Sequence, residues 1–181
     1  MRNIAHSAQY DPCMAELQRL RVDHAPALLA FEQENRTYFA ASIPDRGDDY
    51  FAHFDARHHD LLAEQASGLH FFHVLVDAGG AVVGRVNLVD VADGSAELGY
   101  RIAEKSAGQG LATAAVREIC ARAAAEYGLT TLRAVTTLDN AGSRAVLART
   151  GFIPTGEVRL DGRPGLRFVR DLGEVLEDTA P

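Results

Sequence analysis

Apolar and polar residues alternate in the middle of the chain, and a period of two predicts β-strands. The segment 69–77, LHFFHVLVD, predicts one strand, and 81–91, AVVGRVNLVDV, predicts its partner across a tight turn that contains two glycines. A second turn leads to a third strand over 96–102, AELGYRI. Together the three segments predict an antiparallel meander.

Before the meander, apolar residues recur every three to four positions, which predicts helices. A short strand over 15–23 comes first. A helix over about 24–39 follows, with a proline in its first turn. A second helix is predicted over about 48–66 and ends at Gly68. We refer to the segment 24–66 as the arm.

The rest of the chain, after residue 102, mixes both periods. A helix ending at Gly128 is followed by a strand over 131–137, a short helix over about 140–150 and a hairpin over 151–172. This order predicts an α+β fold whose sheet becomes mixed where helices cross over. We expect a single domain over 1–181, with a flexible extension over 1–14 and a flexible tail over 173–181.

The composition narrows the range of partners. Apolar residues make up 47% of the chain, and the net charge of −7 argues against nucleic-acid binding, which depends on a basic surface. With no apolar run long enough to cross a membrane and no signal peptide, a cytoplasmic location is expected. Two cysteines are too few for a disulfide framework, and Cys120 is expected to be a buried thiol.

Two glycines, Gly108 and Gly110, stand directly before an alanine-rich helix. A loop that exposes its backbone amides at a helix start binds anions, and Lys105 and Arg101 would add positive charge. The alternative is a strand–helix turn that only needs flexible residues. The loop matches neither the P-loop nor the dinucleotide-binding glycine pattern, so the residues alone leave phosphate binding and a simple turn both open.

Two sequence blocks resemble a known family. AELGYRIAEKSAGQGLATAAV (96–116) and TLDNAGSRAVLARTGFIPTGE (137–157) resemble the GNAT superfamily of N-acetyltransferases, above all the branch that acetylates the N-terminal alanine or serine of ribosomal proteins. The segments 31–44 and 82–100 extend the resemblance over most of the chain. It implies a twisted, mostly antiparallel sheet that is splayed between two central strands and flanked by helices.

The resemblance also implies acetyl-coenzyme A (acetyl-CoA) as co-substrate, with no metal. The backbone of one loop would hold the pyrophosphate, and its residues are Lys105, Ala107, Gly108, Gln109, Gly110, Leu111 and Ala112. Lys105 replaces the arginine or glutamine that usually opens this motif. The pantetheine arm would run beside the backbone of Tyr100, Arg101 and Ile102, touch Asn140, and bring its sulfur near Ser143.

Many family members protonate the departing thiolate with a tyrosine, but Leu147 occupies that position here. Ser143 is then the candidate donor, and the alternative is a helix-surface serine that bonds to the preceding turn. Glu97 and Glu34 are candidate bases for the attacking amine. The alternative for Glu97 is a cross-strand partner of a basic residue, and for Glu34 a solvated helix face.

These observations predict an acetyl-CoA-dependent N-acetyltransferase that acts on a primary amine by direct attack on the thioester. The acceptor is a protein N-terminal α-amino group or a small-molecule amine, and a homodimer stays open. Acidic side chains of the arm would attract a cationic amine, with Glu34 nearest to the reacting nitrogen. The alternative function is a non-catalytic module that binds acyl-CoA. The missing tyrosine favours this alternative, whereas the presence of Asn140 and Ser143 favours an enzyme.

Overall fold

The structure is a computed structural model that describes residues 15–173. The predicted extension over 1–14 and all but the first residue of the predicted tail lie outside the described residues. The strands are β1 (Glu16–Arg19), β2 (Phe71–Val76), β3 (Val82–Ala92), β4 (Ser95–Ile102), β5 (Thr131–Thr137), β6 (Ile153–Leu160) and β7 (Arg163–Asp171). The helices are α1 (Ala25–Glu34), α2 (Arg36–Ala40), α3 (Asp48–Ala52), α4 (Phe54–Ala66), α5 (Leu111–Ala125) and α6 (Ala141–Arg149).

The order of elements is the predicted one, but each predicted helix of the arm is divided in two. The first break lies at Asn35, which is buried between α1 and α2. Its side-chain nitrogen donates to the carbonyl of Phe31, and its side-chain oxygen accepts from the amide of Glu104, both at 2.9 Å. Because an asparagine side chain competes for backbone hydrogen bonds, the helix ends here. The same side chain fastens the arm to the segment after β4.

The seven strands form one sheet in the order β1-β2-β3-β4-β5-β7-β6. All neighbours are antiparallel except β4 and β5, which are parallel and pair only over Ser95–Glu97 and Thr131–Arg133. Both strands continue beyond this pairing, β4 to Ile102 and β5 to Thr137. The predicted splayed, mostly antiparallel sheet is therefore confirmed, and a slot opens between its two central strands.

Two apolar clusters cover the two faces of the sheet. On one face α5 packs Val116 and Ile119 against residues such as Leu98, and Cys120 is buried there, which raises the pKa of its thiol to about 11. On the other face the arm packs Phe31 against β2 and β3. We call these the α5 face and the arm face. Among the described residues, no helix is both long and apolar enough to cross a membrane.

Candidate active site

We call residues 105–112 the glycine loop. Its backbone forms a turn in which amide groups are exposed at the start of α5. Gly108 and Gly110 have φ values of 73° and 80°, in the left-handed region that glycine adopts most easily. A Cβ atom at either position would meet nothing within 4 Å, so conformation and not crowding explains the two glycines. The first amides of α5 have no partner within the helix, and the helix dipole adds partial positive charge.

Arg101 does not add its charge to this loop, so that prediction is wrong. It lies on the arm face of β4, where its Nη1 donates to Glu32 at 3.1 Å and its guanidinium stands 5.1 Å from the centre of the Phe39 ring. Residues of one strand point alternately to opposite faces, and Arg101 is one position away from Tyr100 on the α5 face. Only Lys105, which is exposed, remains as a predicted cation beside the loop.

A groove of about 900 Å³ extends through the slot and is lined from both faces of the sheet. On the α5 face its wall is formed by the glycine loop and α6, and on the arm face by α2 and parts of β3 and β4. Predicted site residues that line it are Glu97, Tyr100, Arg101, Ile102, Ala107, Gly108, Gly110, Leu111, Ala112, Asn140 and Ser143. Three others do not line it: Glu34, Lys105 and Gln109.

Ser143 stands at the start of α6 and contacts a hydroxyl that sequence reasoning missed. Its amide donates to the side chain of Asn140 at 3.0 Å, which caps the helix. Its Oγ lies 3.0 Å from the hydroxyl of Tyr100, across the slot from α6. Burial raises the pKa of Tyr100, and the hydrogen bond to Ser143 opposes this increase. Leu147 is only 1% exposed and packs into the core.

Glu97 points into the arm side of the groove and has no partner there. Within residues 15–173, no basic group lies within 4.0 Å of its carboxylate, although Arg133 is its register neighbour on β5. The interpretation as a cross-strand ion pair therefore finds no support. Glu34, the other candidate base, is exposed on α1 and lies outside the groove.

The arm contributes a buried carboxylate that sequence reasoning missed. Glu32 is 2% exposed and receives Arg85 at 2.7 Å, Arg101 at 3.1 Å and Arg46 at 3.5 Å. We call these four residues the Glu32 cluster. A signal existed in the sequence, because Arg85 and Arg101 are cross-strand partners on one face, and two adjacent cations need an anion.

The acidic residues of the arm were expected to attract a cationic amine. Instead, Asp45 and Asp48 bind Arg36 at 2.6 and 2.7 Å, and Asp49 binds Arg57 at 3.5 Å. These carboxylates are paired with arginines of the arm itself. Among the described residues, no carboxylate of the arm lines the groove, and attraction of a cationic amine by the arm stays a prediction. Two other carboxylates line the groove, those of Glu97 and Asp161, and neither forms an ion pair within residues 15–173.

Comparison with known proteins places this geometry in a family. Residues 15–153 match the acetyltransferase (GNAT) domain. The putative ribosomal N-acetyltransferase YdaF of Bacillus subtilis is 35% identical over 82 residues, which cover 44% of this chain and 45% of that protein, less than half of its length.

Two solved structures have the same fold. The ribosomal-protein-S5-alanine acetyltransferase of Vibrio fischeri superposes with a TM-score of 0.83 at 19% identity, over 96% of this chain and 98% of that one. Mycobacterium smegmatis RimJ, in complex with CoA-disulfide, superposes with a TM-score of 0.78 at 25% identity, over 88% of this chain and 83% of that one.

Proposed function

The chain belongs to the GNAT acetyltransferase family, and from this premise we propose that it transfers an acetyl group from acetyl-CoA to a primary amine. One observation supports this most directly. A single groove joins the amides at the start of α5, on one face of the sheet, to the carboxylate of Glu97 on the other face, which forms no ion pair within residues 15–173. Two reactants that enter from opposite faces can thus meet in the slot.

The cofactor side of the groove suits an extended phosphorylated thioester. The amides of residues 107–112 would bind the pyrophosphate at the helix start. Beyond Glu97, β4 has no partner in β5, so the backbone groups of 98–102 that face the slot are open to a ligand. The pantetheine amides of acetyl-CoA would pair with them and add the equivalent of a short strand.

The chemistry follows from the groups around the slot. The amine nitrogen attacks the thioester carbonyl carbon, a C–N bond forms, and the C–S bond then breaks. The proton lost by the nitrogen passes to Glu97, directly or through a water molecule. The thiolate, whose conjugate acid has a pKa of about 8.5, accepts a hydrogen bond and then a proton from the pair formed by Ser143 and Tyr100.

For the acceptor we propose the α-amino group of a protein N-terminus. The name of the structurally similar S5-alanine acetyltransferase gives an alanine of a ribosomal protein as its acceptor. An α-amino group has a pKa of about 7.7–8.0, whereas that of a lysine is about 10.4, so a larger share of it is neutral at pH 7. One weak base such as Glu97 is therefore sufficient.

The test is to mix the protein with acetyl-CoA and a panel of amines, and to measure both thiol release and acetylated product by mass spectrometry. The panel contains peptides with a free N-terminus, an N-terminally blocked lysine peptide, and a polyamine. We expect turnover with free N-termini. CoA binding without turnover on any amine would support the non-catalytic module instead, and absence of CoA binding would contradict both.

The glycine loop yields a first prediction about CoA. Saturating CoA should raise the Tm of the wild type, because a ligand at a hundred times its Kd stabilises a fold by about 2.7 kcal/mol. Gly110→Leu should abolish this rise in Tm, because the leucine side chain would block access to the backbone amides of the loop. Gly80→Leu is the matched control, with a φ of 84° and open space in the β2–β3 turn. Both variants should lose similar stability, and an intact CoA effect in Gly110→Leu would exclude the loop as the binding site.

The pair formed by Ser143 and Tyr100 yields a second prediction. Ser143→Ala and Tyr100→Phe should each lower kcat by about a hundredfold, the low end for the loss of one proton donor. If the two hydroxyls act as one unit, the double variant should be about as slow as either single variant. Steady-state kinetics with saturating acetyl-CoA measures this. Losses that multiply would mean that the hydroxyls act separately.

A further inference from the structure

Gly99 lies in the interior of β4, where neither the backbone nor the packing requires a glycine. It is not among the residues with positive φ, and a Cβ there would meet nothing within 4 Å. Two other strand glycines differ, because a Cβ at Gly84 or Gly165 would approach existing atoms to 2.7 Å. A strand glycine without such a reason destabilises the strand and often marks the close approach of a ligand.

The space above Gly99 belongs to the arm side of the groove. Glu97 and Arg101 flank it along the same face of β4, and Asn87 is its register partner on β3. Phe39 of α2 also lines this part of the groove. Since Arg101 is bound to Glu32, the free carboxylate next to this space is that of Glu97.

Two polar side chains beside this space have unpaired atoms. The Oδ1 of Asn87 and the Nε of Arg85 are buried and find no hydrogen-bond partner in the part of the chain that the structure describes, and the exposed fraction of Arg85 is 4%. Within the described residues, the Asn87 side chain makes no hydrogen bond at all. Buried polar atoms are normally paired, so these positions are consistent with a polar ligand on this side of the sheet.

We propose that Gly99 determines which acceptors fit: the residue that carries the reacting amine lies over Gly99, with its nitrogen toward Glu97 and its side chain in the space that a Cβ at position 99 would fill. The inference rests on the proposed transfer to an amine. The acceptor class is then an α-amino acid residue with a substituent on the carbon next to nitrogen. The polar group that follows this carbon lies beside Asn87.

Substitution at Gly99 should therefore change the ranking of acceptors and not the binding of CoA. We expect Gly99→Val to lower kcat/KM by tenfold or more for peptides that begin with alanine or serine, and by less than threefold for a peptide that begins with glycine. One methylene more or less in a hydrophobic pocket changes kcat/KM by about 10–200-fold. The Tm should stay equal to or exceed that of the wild type, because valine favours strands, and the CoA-induced Tm shift should be unchanged.

Gly156→Val is the matched control. Gly156 lies on the edge strand β6, has no positive φ, does not line the groove, and would give its Cβ open space. Its acceptor ranking should equal that of the wild type. Should Gly99→Val fold poorly, Gly99→Ala makes the same test with a smaller side chain.

The outcomes separate the inference from the proposed function. A wild type that acetylates the peptides, together with a Gly99 variant that keeps the wild-type ranking, overturns the inference alone. Equal losses for all three peptides also overturn it, because a general disturbance of the strand has no preference for small acceptors. A wild type that binds CoA but acetylates no amine overturns both.

Discussion

Replacing Glu32 with alanine is expected to lower the free energy of unfolding by about 3–5 kcal/mol, the usual result of removing one partner from a buried ion pair. The carboxylate is 2% exposed and Arg85 is 4% exposed, so the guanidinium left behind has little access to water. Equilibrium urea denaturation measures the change. Glu34→Ala is the control, two positions along the same helix, where an exposed side chain should contribute less than about 0.5 kcal/mol.

A double variant of the Glu32 cluster tests whether unpaired charge causes this loss of stability. Burial disfavours the charged forms of the residues in the cluster even in the wild type. Burial lowers the pKa of Arg101 to about 10, although Glu32 acts in the opposite direction. Desolvation therefore exceeds the attraction at this residue. The double variant Glu32→Leu/Arg85→Met should then be more stable than Glu32→Ala, since it leaves one buried charge fewer without a partner. If it is less stable than the single variant, unpaired charge is not the cause of the loss.

The cluster also has a consequence for the groove. It connects α1 to β3 and β4 beside Gly99, so it holds the arm over the acceptor side. Where Glu32→Ala still folds, we expect a higher KM for the acceptor and an unchanged KM for acetyl-CoA. The glycine loop lies on the α5 face of the sheet, and the cluster lies on the arm face, so the loss of Glu32 should leave the amides of the loop in place.

The periodic features of the chain predicted the elements well, for a physical reason. The strand over 131–137 and the helix before it follow from the regular burial of one face, which a hydrophobic pattern records directly. Gly108 and Gly110 marked the amide-lined turn because few other residues adopt a positive φ easily. The splayed sheet, by contrast, came from family resemblance and not from periodicity.

Three features of the site could not be predicted, because each depends on contacts between distant segments. Asn35 ends α1 by bonding to Glu104, 69 positions away in the chain. The hydroxyl of Tyr100 reaches Ser143 across the slot, 43 positions away. Period-two alternation places Tyr100 and Arg101 on opposite faces, but only the tertiary structure shows which face carries the glycine loop and which carries the arm.

Glu97→Gln is expected to lower kcat/KM for a peptide α-amine by about a hundredfold near pH 6.5, the low end of the usual contribution of a general base. Glutamine has nearly the same shape but cannot take the proton of the attacking nitrogen. The carboxylate lines the groove without an ion pair among the described residues, so the change leaves no cation unpaired and should not affect the Tm. The KM for acetyl-CoA should also stay unchanged.

The pH dependence of this loss distinguishes a base from a residue that only shapes the groove. Without a base, the amine must lose its proton before it attacks. The neutral fraction of an α-amine rises to one half at its pKa of about 7.7–8.0 and levels off about one pH unit higher. The deficit of Glu97→Gln against the wild type should therefore shrink to roughly tenfold or less by about pH 9. Glu34→Gln, which lies outside the groove, should match the wild type at every pH. A deficit that stays constant from pH 6.5 to 9 would assign proton removal to water or to another group, and Glu97 would then only position the acceptor.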